Sequence, residues 1–258
     1  MAKPKIAVFK FSSCAGCQLS ILNLEEHLLD ILGAVELSYF VMAKRENFAG
    51  PYDISLVEGA VTTPRELEEL KQIREGCKVL VALGSCACFG GVPSIKNYIG
   101  TQREVEERVY THLWDIQSIA AYGIDHYVKV DAYLKGCAID LGELVEFLQS
   151  ALLGVKPRFR THSVCGECKL KENVCLLVSG KKACMGSVTS AGCGALCPSL
   201  NRACEGCRGP ADDCNAESLA QVFHEELGLT KDDVVRKFRK YAGNTPQFKK
   251  GASFYERA

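Results

Sequence analysis

Cysteines are the residues of this sequence best able to do chemistry, because thiolates bind metals, form disulfides or act as nucleophiles. The chain of 258 residues contains 15 of them, so any scheme built on disulfides alone leaves one thiol unpaired. The N-terminal sequence MAKPKIAVFKF lacks the long apolar segment of a secretory signal, and we therefore expect a cytoplasmic, reducing compartment. In such a compartment, clustered thiols are more often metal ligands than disulfide partners.

Four thiols follow the ends of predicted β-strands in the first part of the chain. Cys14 and Cys17 form a C-x-x-C after the first strand. Cys86 follows the fourth strand, and Cys137 follows the fifth. Because the carboxyl ends of parallel strands meet at one edge of a sheet, we expect these side chains to converge. Four converging thiolates are the ligand set of a [4Fe–4S] cluster or of a tetrahedral zinc ion.

Eight further thiols lie between residues 165 and 207. In chain order they make two sets of four: Cys165, Cys168, Cys175 and Cys184, then Cys193, Cys197, Cys204 and Cys207. Zinc ribbons use two C-x-x-C pairs per metal ion, whereas here the pairs lie far apart with single cysteines between them. This spacing favours cuboidal clusters, and a zinc-stabilised interaction module without a redox role is the alternative.

The elements that must hold the first set alternate between strand and helix. Apolar runs predict strands at residues 5–11, 35–42, 54–57, 78–83 and 126–130. Helical spacing predicts helices at 19–32, from the N-cap Thr63 to Gly76, and from Asp140 to about Leu153. Strands separated by helices indicate a parallel α/β sheet with right-handed crossovers.

The stretch from Cys165 to Cys214 shows no periodic run long enough for a regular element. It cannot bury enough apolar surface to order itself, so we expect bound metal to nucleate its fold. Two amphipathic helices are predicted after it, at 216–227 and 231–241, with Thr230 capping the second. The expected domains are therefore residues 1–155, an α/β domain, and residues 156–258, a mostly irregular cysteine-rich domain with C-terminal helices.

Charge and hydropathy exclude two classes of function. The 31 Lys and Arg residues are balanced by 31 Asp and Glu residues, so the basic surface of a nucleic-acid-binding protein is missing. The longest uncharged run, 79–95, contains three glycines and a proline, which is typical of a buried strand and its loop. We predict no nucleic-acid partner and no transmembrane segment.

The motifs in combination resemble those of a known family. SSCAGCQLS, VEGAV, GSCACFGG and GCAID are followed by a tail with CGEC, AGC-x-x-x-CP and ACEGCRGP. From about residue 5 to residue 241, this pattern resembles the small subunit of [NiFe] hydrogenases. The tail is most similar to the cytoplasmic group whose members couple to NAD(P), coenzyme F420 or heterodisulfide reductase. The resemblance implies an oxidoreductase subunit that transfers single electrons.

The resemblance implies a flavodoxin-like first domain and three [4Fe–4S] clusters. The implied ligands are Cys14, Cys17, Cys86 and Cys137 for the proximal cluster, Cys165, Cys168, Cys175 and Cys184 for the distal one, and Cys193, Cys197, Cys204 and Cys207 for the medial one. The loop that cradles phosphate in flavodoxins carries thiols here, so we expect no flavin. The nickel–iron site would belong to a separate large subunit, and a flavin/NAD(P), F420 or heterodisulfide-reductase-type subunit would accept the electrons.

This sequence departs from the family pattern at two places. The proximal motif of the family continues G-C-P-P, whereas Cys137 is followed by Ala138. Exported members use a histidine at the distal cluster and three cysteines at a medial [3Fe–4S] cluster, but here Cys165 stands at the histidine position and Cys197 adds a fourth medial thiol. His162 also lies three residues before Cys165. If His162 is the ligand, Cys168 is free.

A second alternative is the cluster-bearing subunit of a quinone oxidoreductase related to complex I, which shares the first domain. That alternative requires adjacent cysteines after the first strand and no eight-thiol tail, and the sequence has neither. Glu58 follows the third strand, where it is either a structural anchor or a proton carrier at the large-subunit contact. Cys77 and Cys88 are expected to pack in the core, and Cys214 has no assigned role.

Overall fold

Five parallel β-strands organise the first part of the chain in the computed structural model, which describes residues 3–24, 33–112 and 117–256. The strands are β1 (Lys5–Lys10), β2 (Glu36–Phe40), β3 (Tyr52–Glu58), β4 (Cys77–Leu83) and β5 (Ala132–Leu134). Every pairing is parallel, and the spatial order is β2-β1-β3-β4-β5. This order is that of flavodoxin-like sheets, so the predicted fold class is confirmed.

Helices follow the strands, as the alternating pattern predicts. They are α1 (Gly16–Leu22), α2 (Pro64–Glu75), α3 (Gly84–Phe89), α4 (Gln102–Val109) and α5 (Leu141–Leu152). The predicted start of α2 is confirmed, because the Thr63 side chain accepts from the Glu66 amide in a capping box. Asp140 likewise caps α5 by accepting from the Glu143 amide at 2.9 Å. Of the helix predicted at 19–32, α1 ends at Leu22, and residues 25–32 lie outside the described residues.

Burial explains why the central strands form. Leu80, Val81 and Ala82 of β4 are fully buried, as a strand covered on both faces requires. Burying one leucine or valine side chain stabilises the folded state by about 1.5–3 kcal/mol. The core beneath them includes Leu70 and Ile73 of α2. The sheet is therefore stable enough to fix where its carboxyl-end loops begin.

The fifth strand lies later in the chain than predicted. Residues 126–130 were expected to form it, but a 3₁₀ turn occupies Ile124–His126 and pairing with β4 begins at residue 132. The Asp131 carboxylate accepts from the Leu80 amide at 2.8 Å and thereby sets the point where pairing starts. The apolar side chains at 127, 128 and 130 pack against the core from a loop, which is why their pattern imitates a strand.

Short helices and loops make up the second part of the chain. Contacts divide the chain into two units, Met1–Lys156 and Pro157–Ala258. The second unit contains α6 (Val164–Leu170), α7 (Leu196–Ser199), α8 (Ala216–Gln221), α9 (Lys231–Arg239) and α10 (Pro246–Glu256). The expectation of no regular element between 165 and 214 was wrong for α6, for α7 and for a 3₁₀ turn at Met185–Ser187. Elements of three to seven residues are too short to show a period.

Three aromatic side chains hold the C-terminal helices together. Phe223, Phe238 and Phe248 are buried, with ring centroids 6.3 Å apart for the first two and 5.6 Å apart for the last two. The predicted Thr230 cap of α9 is confirmed by its bond from the Asp233 amide at 3.1 Å. The helix predicted at 216–227 continues from α8 into a π turn, and α10 was not predicted. Across the described ranges, each helix is too short or too polar to cross a bilayer.

Candidate metal centres

The four thiols of the first set lie at the carboxyl edge of the sheet. The loop after β1 holds Cys14, and the first turn of α1 holds Cys17. Cys86 lies in α3, directly after β4, and Cys137 follows β5 within three residues. Cys17 is buried, Cys86 is partly buried, and Cys14 and Cys137 are exposed. The sheet therefore brings together four thiols that the sequence separates by up to 123 positions.

These thiols are close enough to influence one another's ionisation. Burial, together with the neighbouring Cys137 and Cys14 thiols, raises the pKa of Cys86 to about 12. Burial also raises the pKa of Cys17, and the Glu58 carboxylate and the Cys137 thiol act in the same direction. Four thiolates in this arrangement repel one another, so a cationic centre among them would stabilise the ionised form that binds metal.

Two glycines leave space beside the sulfur atoms. A Cβ at Gly84, where φ is +81°, would overlap the Cys17 Sγ. A Cβ at Gly91, where φ is +54°, would lie 2.7 Å from the Cys86 Sγ. Any other residue at these positions would displace the thiols and strain the backbone. Glycine therefore occupies two positions where the backbone passes very close to the Cys17 and Cys86 sulfur atoms.

Glu58 fixes the turn that carries Cys17. This last residue of β3 is only 2% exposed. The Cys17 amide donates to its Oε1 at 3.1 Å, and the Gln18 amide donates to its Oε2 at 3.3 Å. Both amides lie in the first turn of α1, where backbone N–H groups have no partner within the helix. The buried carboxylate therefore joins the end of β3 to the loop of the first set.

A second carboxylate holds the start of the same loop. The Ser12 hydroxyl donates to Glu66 Oε1 at 2.9 Å, and the Thr62 amide donates to Glu66 Oε2 at 2.7 Å. Ser12 and Ala60 also exchange two backbone hydrogen bonds, of 3.2 and 3.0 Å. The spacing of Thr63 and Glu66 in the sequence predicts only a helix cap for this glutamate. The clue to this contact was the hydroxyl pair directly before Cys14, in a loop predicted to face the same sheet edge.

The set Cys165, Cys168, Cys175 and Cys184 lines one cavity of about 90 Å³. This volume is about three times what one water molecule occupies in the liquid. Burial raises the pKa of the Cys165 thiol, and the Cys184, Cys168 and Cys175 thiols raise it further. All four candidate ligands therefore face one space that is larger than a single bound ion needs.

The remaining set contains two pairs of thiols that influence each other within the pair, Cys193 with Cys197 and Cys204 with Cys207. Burial and then the Cys193 thiol raise the pKa of Cys197. Burial also raises the pKa of Cys204, with smaller contributions from Cys184 and Cys207. The Cys204 amide donates to the Cys184 Sγ at 3.3 Å. The structure therefore joins each pair internally and places Cys184 of the cavity set next to both pairs.

Thiolates bind both zinc ions and iron–sulfur clusters, and the two kinds of centre place their sulfur atoms differently. A tetrahedral zinc with Zn–S bonds of about 2.3 Å requires sulfur atoms only about 3.8 Å apart. An iron–sulfur core separates its thiolates with its own iron and sulfide atoms. The thiol donors and the cavity lined by four of them, which is larger than a single bound ion needs, fit such a core.

Three thiols and one histidine lie outside these sets. Cys77 and Cys88 are 8% and 2% exposed within the core cluster, so their expected packing is confirmed. Burial raises the pKa of Cys214 to about 11, and this residue directly precedes the N-cap of α8. His162 is exposed, and its ring lies 3.0 Å from where a Gly166 Cβ would stand. Among the described residues that line the 90 Å³ cavity, Cys168 is present and His162 is not.

Both C-x-x-C pairs of the second unit enclose a glutamate that sequence analysis did not single out, Glu167 and Glu205. Glu205 lies between Cys204 and Cys207, and it accepts from Lys237 Nζ at 2.9 Å and from Lys240 Nζ at 3.0 Å. The two lysines lower the pKa of Glu205 against the effect of burial. An acidic residue between two candidate ligands was the available signal, because a carboxylate held there must find donors nearby.

Comparison with known proteins identifies the family. The model of the family described as NADH ubiquinone oxidoreductase, 20 Kd subunit, matches residues 14–151, more than half of the chain. Sulfhydrogenase 2 subunit delta of Pyrococcus furiosus is 36% identical over 239 residues, which cover 92% of this chain and 99% of that protein. The solved NAD⁺-reducing [NiFe]-hydrogenase in the H₂-reduced state matches with a TM-score of 0.54 at 28% identity, over 61% of this chain and 95% of that one. The chain belongs to the [NiFe] hydrogenase small-subunit family.

Another member of the small-subunit family agrees with this result. The NAD-reducing hydrogenase HoxS subunit delta of Cupriavidus necator is 29% identical over 167 residues, which cover 59% of this chain and 80% of that protein. The predicted family and the predicted oxidoreductase class are therefore confirmed. Small subunits of this family carry iron–sulfur clusters and pair with a large subunit.

Proposed function

We propose that this chain relays electrons through three [4Fe–4S] clusters, between the nickel–iron site of a separate large subunit and a redox partner. The observation that carries the proposal is the 90 Å³ cavity lined by the four thiols of the cavity set. When bound, each cluster would supply a centre that takes up and releases one electron, with a potential set by hydrogen bonds to sulfur and by exposure.

The protein's part is to hold twelve thiolates in three sets. We assign Cys14, Cys17, Cys86 and Cys137 to the proximal cluster, Cys165, Cys168, Cys175 and Cys184 to the distal one, and Cys193, Cys197, Cys204 and Cys207 to the medial one. The mutual effects of the thiols on their pKa values support the proximal and distal sets. For the medial set, the support is the pairing of Cys193 with Cys197 and of Cys204 with Cys207.

Two matched variants test the distal assignment. The full chain would be purified without oxygen, with any subunits that accompany it, and its reduced clusters counted by electron paramagnetic resonance. Cys168→Ala should lose or convert one cluster, whereas His162→Ala should leave all three signals in place. An unchanged spectrum for Cys168→Ala with a lost signal for His162→Ala would contradict the assignment.

Glu58 has two candidate roles, anchor and proton carrier. Both of its carboxylate oxygens accept backbone hydrogen bonds, which favours the anchor. A carboxyl group that exchanges protons would have to release one of these amides each time. We therefore propose that Glu58 mainly positions Cys17, and proton transfer at the large-subunit contact is the second candidate.

We propose that the acceptor, a flavin/NAD(P), F420 or heterodisulfide-reductase-type subunit, docks beside the distal set in the cytoplasm. Leu170, Val174 and Leu200 are 86%, 67% and 68% exposed on the segments that carry Cys168, Cys175 and Cys197. Asn173 Nδ2 donates to Ser199 Oγ at 3.0 Å and so joins two of these segments. Grouped apolar side chains of this size are typical of protein interfaces.

The charge of this face can be changed to test the docking site. Leu170→Lys should reduce co-purification of the acceptor subunit without changing the iron content of the chain. Retention of the acceptor by this variant at the wild-type level would contradict the docking site and leave the cluster assignments intact.

A further inference from the structure

Glu167 is a buried carboxylate between two candidate distal ligands. It lies in α6, in the sequence Cys165-Gly166-Glu167-Cys168, and is 9% exposed. Burying a carboxylate is unfavourable unless donors replace the water it gives up. The partners of this side chain must therefore account for its presence inside the cysteine-rich unit.

The donors come from the loop of the other candidate set. The Gly192 amide donates to Glu167 Oε1 at 2.8 Å, and the Ala195 amide donates to Glu167 Oε2 at 3.1 Å. These two amides enclose Cys193, a candidate medial ligand. One carboxylate on the helix of Cys165 and Cys168 thus binds the loop that begins the medial set.

The loop has a conformation that depends on such a partner. Gly192, Gly194 and Ala195 have φ values of +119°, +58° and +50°. The left-handed region is unfavourable for a residue with a Cβ, so Ala195 requires compensation. The Gly192 and Ala195 amides of this turn converge on one point, and converging amides of this kind bind an anion well. Glu167 supplies that anion from within the chain.

We propose that Glu167 is a positioning residue that fixes the loop of Cys193 and Cys197 against the helix of Cys165 and Cys168, so that one side chain sets the placement of ligands in both sets. The part of this inference that concerns clusters rests on the proposed function. The part that concerns the amide contacts stands on the hydrogen bonds alone.

The experiment compares Glu167→Gln with Glu172→Gln in the full chain. A glutamine at 167 can accept one of the two amide bonds, but its NH₂ group faces the other amide with a donor. Glu172 is exposed and lies five residues further on, so it is a matched control. Hydrogen exchange of the segment 190–197, followed by mass spectrometry, reads the contact without reference to any metal.

We expect exchange of this segment to be about tenfold faster in Glu167→Gln and unchanged in Glu172→Gln. We also expect the paramagnetic signals of both second-unit clusters to shift in Glu167→Gln, with the proximal signal unchanged. If Glu167→Gln fails to accumulate, Glu167→Asp, which keeps the charge but is one methylene shorter, should show an intermediate increase in exchange.

Two results would overturn the inference. One is wild-type exchange of 190–197 in Glu167→Gln or Glu167→Asp. The other is a spectral change confined to one of the two clusters. If the wild-type chain binds no iron, the proposed function fails, but the exchange comparison still decides whether Glu167 holds the loop.

Discussion

At the first set of thiols, a parallel sheet buried on both faces determines where each ligand lies, whereas short helices and loops do so in the second unit. The loops of the first set begin at the ends of β1, β4 and β5, and their positions follow from strand pairing. In the second unit, buried polar contacts take over this task. Arg208 is 2% exposed and its Nε donates to the Ala191 carbonyl at 2.8 Å, in addition to the contacts of Glu167.

This difference indicates how each region depends on metal. A sheet with fully buried strands has enough apolar surface to order itself, so a cluster at its carboxyl edge would bind to largely preformed loops. A stretch of turns with eight thiols lacks that surface, so there part of the free energy of metal binding would serve to fold the chain. In both regions a buried glutamate binds two amides of a thiol-bearing loop, but only Glu58 extends from a strand.

Removal of iron should produce the largest effect and should separate the two regions. After anaerobic chelation, we expect amides between 165 and 214 to exchange at least about 100-fold faster, since metal sites can supply roughly 10 kcal/mol of folding free energy. Amides of β1, β3 and β4 should change by less than about threefold. Equal loss of protection in both regions, measured by hydrogen exchange, would contradict the comparison.

Substitution of Cys86 should remove one cluster, whereas substitution of Cys88 should not. Both residues lie in α3, but the Cys88 Sγ faces the carbonyl oxygens of Ala82 and Leu134 at 3.6 and 3.7 Å. Cys86→Ala should lose about four iron atoms per chain, the content of one [4Fe–4S] cluster. Cys88→Ala should keep its iron and lose about 1–2 kcal/mol of unfolding free energy. Equal iron contents in the two variants would show that the sheet edge does not bind metal through Cys86.

Gly84→Ala should test how tightly the chain packs against the Cys17 sulfur. A Cβ at Gly84 would clash with the Cys17 Sγ, whereas one at Gly154, with φ of +66°, meets no described atom within 4 Å. Gly154→Ala should therefore cost only the backbone strain, about 1–2 kcal/mol. Gly84→Ala should add a loss of proximal iron, measured by metal analysis and thermal unfolding. Equal iron contents and equal losses of thermal stability in the two variants would mean that the Cys17 sulfur can move away from a Cβ at position 84.

Among these variants of the first set, Glu58→Gln should have the smallest effect on bound iron, because all four thiols remain. Loss of one buried hydrogen bond to the Cys17 turn should lower the free energy of unfolding by about 1–3 kcal/mol. The exposed control Glu68→Gln should change it by less than about 0.5 kcal/mol. Hydrogen turnover of the assembled enzyme should stay within about twofold if Glu58 is an anchor. A tenfold loss of turnover at full iron content would instead identify a proton carrier.

Much of the fold could be predicted because its signals are local. The apolar run of β4, the Thr63–Glu66 capping box and the Asp140 cap each depend on residues close together in the chain. The position of β5 was wrong because one distant contact, from Asp131 to the Leu80 amide, decides where pairing begins. No pattern within the segment 126–130 contains that information.

The candidate sites could be predicted as sets of thiols but not as geometry. Sequence placed Cys14 and Cys86 after strands, and topology then made them neighbours. The sequence offered a local signal for Glu167 and for Glu66, but it did not identify their partners, because each partner lies in a loop remote in sequence. Glu167 binds the backbone amides of Gly192 and Ala195, which carry no side-chain signal, and Glu66 binds the Ser12 hydroxyl across 54 positions. The helix α10 was missed because Gly251, required where the backbone meets the Phe238 ring, weakens its helical pattern.

The central claim is that three sets of four thiolates hold iron–sulfur clusters. Iron, sulfide and zinc should be measured per chain in the full-length protein purified without oxygen, together with its visible absorption before and after dithionite. We predict about twelve iron atoms and as many sulfides, with a brown colour that bleaches on reduction. About three zinc atoms in a colourless protein with negligible iron would contradict the account.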